Sequence, residues 1–374
     1  MREFFRTRTV LLLTLVVGGC GGATNVETPT GSAGNGAGGP TISTPGGMTI
    51  SSVTGGNGTL TITGSGFGAG PVVQLYDDFE GGAIGQPVSL TSSIKGTWDL
   101  YTPGPLPTHD AIAHSGNSSA RMYDKQTLQL HQGFNPGIRE ILLSYWVFVP
   151  PGTPFPGYNG GVKTFSTVSS WKFTWIFDQS YQGFDADLCL PTWAGSGQLF
   201  LAGNDMNLIT NLNHTTWWDW DNWMRIAVWL KANETDPTLP GTVEFQTISA
   251  GKGLYDQRWT TPVFDTDGPA LKQFRNLTIP GWVAETSSVD THIVYDDIYI
   301  AVGQGAVARV EIGDQPTYAA SKTLEIQLPT AWSDNSISVN VHLGAVASVQ
   351  SGYLYVTDAN GVVNATGYPL AGIP

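Results

Sequence analysis

What most constrains this chain is a succession of short strand-like segments, each bounded by turn residues, with no sustained helical period between them. ILLSYWVFV (141–149), WKFTWIF (171–177), WMRIAVWLK (223–231), GTVEFQTI (241–248) and IVYDDIYIA (293–301) are the clearest. They are rich in β-branched and aromatic residues and too short for typical helices, so they read as strands. Forty-seven Gly, thirteen Trp and thirteen Tyr, against only 13% charged residues, supply turns and aromatic strand faces. Roughly 230 residues of this kind, over 73–302, suit a large jelly-roll β-sandwich better than a small sandwich. ARVEIGD, KTLEIQL, SISVNVHL and SGYLYVTDANGVV within 307–374 predict a further small C-terminal β-sandwich. The expected fold class is all-β.

The opening, MREFFRTRTVLLLTLVVGGCGG, has a different character. Arg2, Arg6 and Arg8 form a basic head, and Val10 to Val17 an apolar stretch interrupted by Thr14. About eight apolar residues cover roughly 12 Å as a helix, far short of the ~30 Å hydrocarbon core. The stretch fits the h-region of a cleavable secretion signal. VVGGC resembles the lipobox of bacterial lipoproteins, whose cysteine receives a diacylglycerol and becomes the mature N-terminus. The resemblance implies a signal peptide over 1–19 and lipidation (diacylglycerol and palmitate) at Cys20. It also implies export and attachment to a bacterial membrane by that lipid alone. With Gly21 rather than aspartate after the cysteine, the same resemblance implies the outer membrane or cell surface. The other reading is an ordinary signal peptide ending near a cysteine. Residues 20–47 are nearly all Gly, Ser, Thr, Ala, Pro and Asn, and cannot bury enough apolar surface to order, so a flexible tether is expected.

A formal charge of −13 makes nucleic acid an unexpected partner. With Cys20 lipidated, the other cysteine, Cys189, has no intrachain partner; a disulfide framework is excluded and a large core must carry stability.

Two resemblances refine the domain plan. Residues 48–72 read as a hairpin around Gly-Asn-Gly, and LTITGSGFG resembles the strand and turn of IPT/TIG-type immunoglobulin-like modules. The 307–374 unit, immunoglobulin-like by the same reading, either completes that module, with the jelly roll inserted, or stands alone. LYDDFEGG (75–82), Trp98 and AHSGNSSARM (113–122), followed by NWMRIAVWLKAN (222–233) and VDTHIVYDDIYIA (289–301), resemble in order the opening and closing strands of concanavalin A-like sandwiches. That superfamily includes sugar-binding modules, polysaccharide lyases, glycosidases and purely structural domains, so fold leaves function open.

First and last strands of such sandwiches lie side by side, which would gather Asp77, Asp78, Glu80, Asp296 and Asp297. Gathered carboxylates repel unless neutralised, so a structural calcium held by Asp78, Glu80 and Asp297 is one expectation; solvated acids capping turns are the alternative. Alternation along 223–231 sets Met224, Ile226, Val228 and Leu230 in the core and leaves Trp223, Arg225 and Trp229 on the other face. With Gln129 and His131 of KQTLQLH, and Trp218 and Trp220 of the loop HTTWWDWDNW, these are the candidate carbohydrate-binding residues. Indole rings cover pyranose C–H faces and long polar side chains satisfy hydroxyls. Packing of the same tryptophans into a second apolar layer, or as a plug at the sandwich end, is the competing reading.

No glycosidase E-x-D-x-E strand, serine-hydrolase elbow or phosphate loop is present. Gln129-Leu130-His131 distantly resembles the Q-x-H strand of jelly-roll alginate lyases, which would make His131, Arg225 and Tyr299 the catalytic candidates. The function expected is a cell-surface polysaccharide-binding lipoprotein; a lyase or glycosidase, or a structural or adhesive module, are the alternatives.

Overall fold

The computed structural model describes residues 41–44, 47–99, 106–123, 130–150, 170–177, 186–191, 200–202, 209–210, 218–220, 222–236, 239–261, 263, 273–280, 282–283 and 292–373. Cys20, the leader, nearly all of the 20–47 segment and Gln129 lie outside the described residues. Among the described residues all regular structure is strand, apart from the 3-10 turns Tyr318–Ala320 and Val349–Ser351. No helix there is long and apolar enough to cross a membrane. The protein is all-β, as its strand pattern predicts.

The described strands form three sheets. The first runs in the order Gly253–Thr261, Gly241–Ser249, Met224–Lys231, Glu140–Phe148, His292–Val302, Ser119–Tyr123, Thr108–Asp110, with Val72–Asp77 also paired to His292–Val302. The second runs Ile209–Thr210, Phe200–Ala202, Ala186–Pro191, Ser170–Phe177, Phe274–Ile279, Leu130–Ile138. These two form a jelly-roll-like sandwich. Strand alternation decides which side chains meet between them: Leu143, Tyr145 and Val147, Ile226, Val228 and Leu230, and Ile293 and Tyr295 from the first sheet pack with Ile176, Leu277 and Ile279 from the second.

The strand His292–Val302 departs from simple alternation. Its start pairs with Ser119–Tyr123 and its end with Val72–Asp77, and between them lies a register shift from Asp296 to Tyr299. Asp297 sits there in the left-handed region (φ 48°). The extra residue switches the inward set from Ile293 and Tyr295 to Ile298 and Ile300, and re-aims the two aspartates, as bulges do.

Strands within 42–65 and 309–369 build the third sheet. The hairpin Thr49–Gly55 and Thr59–Ser65 closes at Gly55 (φ 129°), where a Cβ would lie 2.1 Å from the Thr59 carbonyl oxygen, so glycine is required. Thr59–Ser65 then pairs with Ser336–Asn340, placing Leu60 opposite Val339 and Ile62 opposite Ile337. Leu324–Ser333 bridges two halves: Leu324 to Gln327 pair with Arg309–Gly313, and from Leu328 onward the strand pairs with Ser336–Asn340. Met48, Ile50, Leu60 and Ile62 from the N-terminal segment share one core with Val310, Ile312, Leu354 and Val356 from the C-terminal one. The first two sheets therefore leave and re-enter this second module.

Candidate functional site

The outer face of the first sheet, where sequence puts Trp223, Arg225 and Trp229, is covered by the second module. Arg225 is 2% exposed; its Nη1 donates to the Leu324 carbonyl at 2.6 Å and pairs with Glu311 Oε1 at 2.7 Å. Arg309 pairs with the same carboxylate through Oε2 at 3.0 Å, and Tyr318 donates its hydroxyl to it. These cations outweigh the burial that would otherwise raise Glu311, and hold its carboxyl below the ordinary carboxylate range. The Trp229 indole N–H donates to Glu140 at 3.1 Å, and the Arg258 guanidinium lies 5.1 Å from the centre of its ring. Trp223 is half-buried, edge-on to His114. Trp218 is buried and stacks on Phe173 at 5.0 Å, with Trp220 beside it; both join the sandwich core. Arg225, Trp229 and Trp218 are thus corrected from sugar contacts to packing and docking groups, while Trp220 and Trp223 are half-buried beside them. An aromatic, cationic strand face suits a sugar ring and an acidic neighbouring sheet equally well, and here the sheet occupies it. Tyr299 is buried on the same face, out of contact with solvent, and burial pushes its hydroxyl well above the usual range.

His131 belongs to a different face. The register sets it opposite Thr278, and Thr278 opposite Trp175. Leu277 and Ile279 point into the core, so Asn276 and Thr278 lie on the outer face of the second sheet, with Trp175 and Phe177. Trp175 is half-buried and meets Phe177 edge-on at 5.5 Å, while the Thr278 hydroxyl is buried without a hydrogen-bond partner. Arg225 and Tyr299 lie on the outer face of the first sheet, whereas the strand that carries His131 belongs to the second.

The acidic seam forms where Val72–Asp77 meets His292–Val302, but its ligand set differs from the calcium expectation. Glu80 Oε1 accepts the amides of Asn117 and Ser118, both at 2.7 Å, and Asp78 Oδ1 accepts that of Glu80 at 3.2 Å. Those two carboxylates cap turns, so the Asp78, Glu80, Asp297 triad is corrected. Asp77 faces the core, where its carboxylate accepts Trp98 Nε1 at 2.7 Å and the Phe79 amide at 3.0 Å; burial nevertheless pushes it up to about 6. Asp296 is pushed well above the carboxylate range by burial and then by the Asp297 charge.

Asp297 meets groups that no local sequence signal announces. Ser115 donates its hydroxyl to Oδ1 at 3.0 Å, and His342 Nε2 lies 3.1 Å from the same oxygen. Burial lowers His342, but the Asp297 charge outweighs it and lifts the imidazole to about 9. His114 Nε2 lies 2.9 Å from Glu325 Oε1, and donor atoms of His114, Asp297 and Glu325 fall within 4.8 Å of one another. Tyr76, Ser144, Trp146, Arg225, Asp297, Glu325 and His342 border a cavity with room for about one water molecule.

No protein-family model matches the chain, and no curated protein matches it. Among solved structures it is similar to the alginate lyase of Aplysia kurodai, at 11% identity over 53% of this chain and 87% of that one, with a TM-score of 0.37. The alginate lyase vAL-1 from Chlorella virus is 12% identical over 55% of this chain and 93% of that one, with a TM-score of 0.36. A β-glucanase catalytic domain from Podospora anserina is 10% identical over 56% and 86%, with a TM-score of 0.34. At these scores the likenesses carry no argument about chemistry.

Proposed function

We propose that the chain is an exported protein, lipid-anchored through Cys20, whose sandwich binds a polysaccharide on the outer face of its second sheet. The observation that carries this reading is the cross-strand row His131, Thr278, Trp175: a half-buried indole beside a buried, unpartnered hydroxyl and a histidine position. An indole offers a flat apolar face to a sugar ring, and the polar neighbours suit its hydroxyls. Elimination adds support, because the outer face of the first sheet is already occupied. The anchor rests on the basic head, the short apolar stretch and Val-Gly-Gly-Cys.

Affinity electrophoresis of the protein through gels containing neutral or acidic polysaccharides tests the binding. Retardation by at least one polysaccharide is expected, and its loss in Trp175→Ala with the melting temperature little changed. Retardation by none, or full retention in Trp175→Ala, overturns the site. A lyase is the second reading, favoured by His131 in the same row; appearance of ultraviolet absorbance from unsaturated uronates, abolished in His131→Ala, would establish it over binding alone.

A further inference from the structure

We propose that His114, Asp297 and Glu325 bind one divalent transition-metal ion of the zinc class, which clamps the jelly-roll sandwich to the second module. His114 and Asp297 belong to the sandwich, from the loop before Ser119–Tyr123 and the bulge of His292–Val302. Glu325 comes from Leu324–Ser333 of the second module. An ion held by all three ties the two bodies at the edge of their seam.

Each ligand is already held in place by an outer partner, as metal ligands are. The His114 ring stacks on Trp146 at 3.7 Å, and its backbone amide donates to Asp296 at 2.8 Å. Glu325 accepts Trp146 Nε1 at 3.1 Å through Oε2 and the Ala345 amide at 3.1 Å through Oε1. Gly344 passes so close that a Cβ there would lie 2.3 Å from the Glu325 carboxyl carbon, so the backbone itself walls the site. Asp297 Oδ1 receives the Ser115 hydroxyl at 3.0 Å and the Tyr76 hydroxyl at 3.5 Å.

A second observation points to a ligand. Asp297 is 6% exposed and borders the cavity, yet its Oδ2 has no hydrogen-bond partner. A buried carboxylate oxygen left bare is costly, and an ion or a water is its ordinary complement. Arg225 Nη2 borders the same cavity, also without an acceptor. One imidazole nitrogen with two carboxylates matches zinc and its neighbours, whereas calcium takes six to eight oxygens. His114 Nε2 and Glu325 Oε1, at 2.9 Å, already stand close to the roughly 3.3 Å between two ligands of a tetrahedral zinc. His342 and Arg225 bring positive charge nearby, but His342 lies on Asp297 Oδ1 and Arg225 is paired through Nη1 with Glu311.

The test is metal content of the full chain after chelation and dialysis against zinc chloride, read with thermal melts and with visible spectra of the cobalt(II)-loaded protein. One zinc per chain is expected, with tetrahedral cobalt bands and a melting temperature higher by about 5 °C at a free zinc concentration 100-fold above Kd. Glu325→Gln and His114→Asn should lose all three, whereas Glu80→Gln, outside the triad, should keep them. No retained zinc and no cobalt bands in the unmutated protein overturn the proposal and leave water as the partner of Asp297. Unchanged stoichiometry in a folded Glu325→Gln protein overturns it equally. Should that variant fail to fold, the cobalt spectrum of the unmutated protein still decides.

Discussion

The first sheet buries both of its faces, by opposite chemistries. Its inner face meets the second sheet through Leu143, Val147, Ile226, Val228 and Leu230, where burial is non-directional and depends on volume and contact. Its outer face meets the second module through Trp146, Arg225, Trp229, Glu244 and Gln246. There polar side chains are matched in pairs: Arg225 has Glu311, Gln246 has Arg309 at 3.1 Å, and Glu244 has Arg258 at 2.6 Å. Alternation of apolar and polar residues along a strand is commonly read as core against solvent. Here it separates two interfaces, one specified by shape and the other by matched charge.

The largest effect that would break this contrast is expected at Arg225. In Arg225→Ala the Glu311 carboxylate keeps Arg309 but loses its second cation, and the Leu324 carbonyl loses its donor. Removing one partner of a buried ion pair costs about 3–5 kcal/mol, to be read from guanidinium unfolding. A loss under about 1 kcal/mol, the range of solvated pairs, would mean that the seam is wet and the two faces less different than described.

Asp77 gives the next effect, because it places one acid within the otherwise apolar inner core. Its folded pKa, pushed up to about 6, lies above the roughly 3.9 of an unfolded aspartate. From about pH 4 to pH 6 the folded state therefore holds the extra proton, and stability falls as pH rises through that window. The group's contribution, present below pH 4, is gone above pH 6 and amounts to about 3 kcal/mol. Urea midpoints across this range should show the decline, and Asp77→Asn should remove it; an identical slope in the variant would assign the titration elsewhere.

Much of the inner architecture is legible in the sequence, and little of the outer. The segments 141–149, 171–177, 223–231, 241–248 and 293–301 fall within about a residue of observed strands, and Met224, Ile226, Val228 and Leu230 lie in the core as alternation requires. Those signals are local. What covers the other face is a long-range matter: His114 and Glu325 are 211 positions apart, and Arg225 and its acceptor Leu324 are 99. No periodicity links them. The bulge at Asp296 and Asp297 is equally silent, because two adjacent aspartates in a strand carry no mark of an inserted residue. The one available hint lay in KTLEIQL and ARVEIGD, whose polar residues Glu311, Glu325 and Gln327 are too many for an ordinary buried strand and match a cationic, aromatic surface elsewhere in the chain.

The smallest effect on stability should come from the second sheet, and it separates a packing tryptophan from a ligand-facing one. Trp229 is sealed in the seam with its N–H on Glu140, so Trp229→Ala removes a filled volume and strands a carboxylate oxygen; about 3–5 kcal/mol is expected. Trp175 is half-buried against Phe177, so Trp175→Ala should cost about 1 kcal/mol, in keeping with the smaller area it withdraws from water. Polysaccharide retention per folded molecule should move the opposite way, unchanged in the first variant and lost in the second. If retention instead follows stability in both, the outer face of the second sheet is packing of the same kind as the seam.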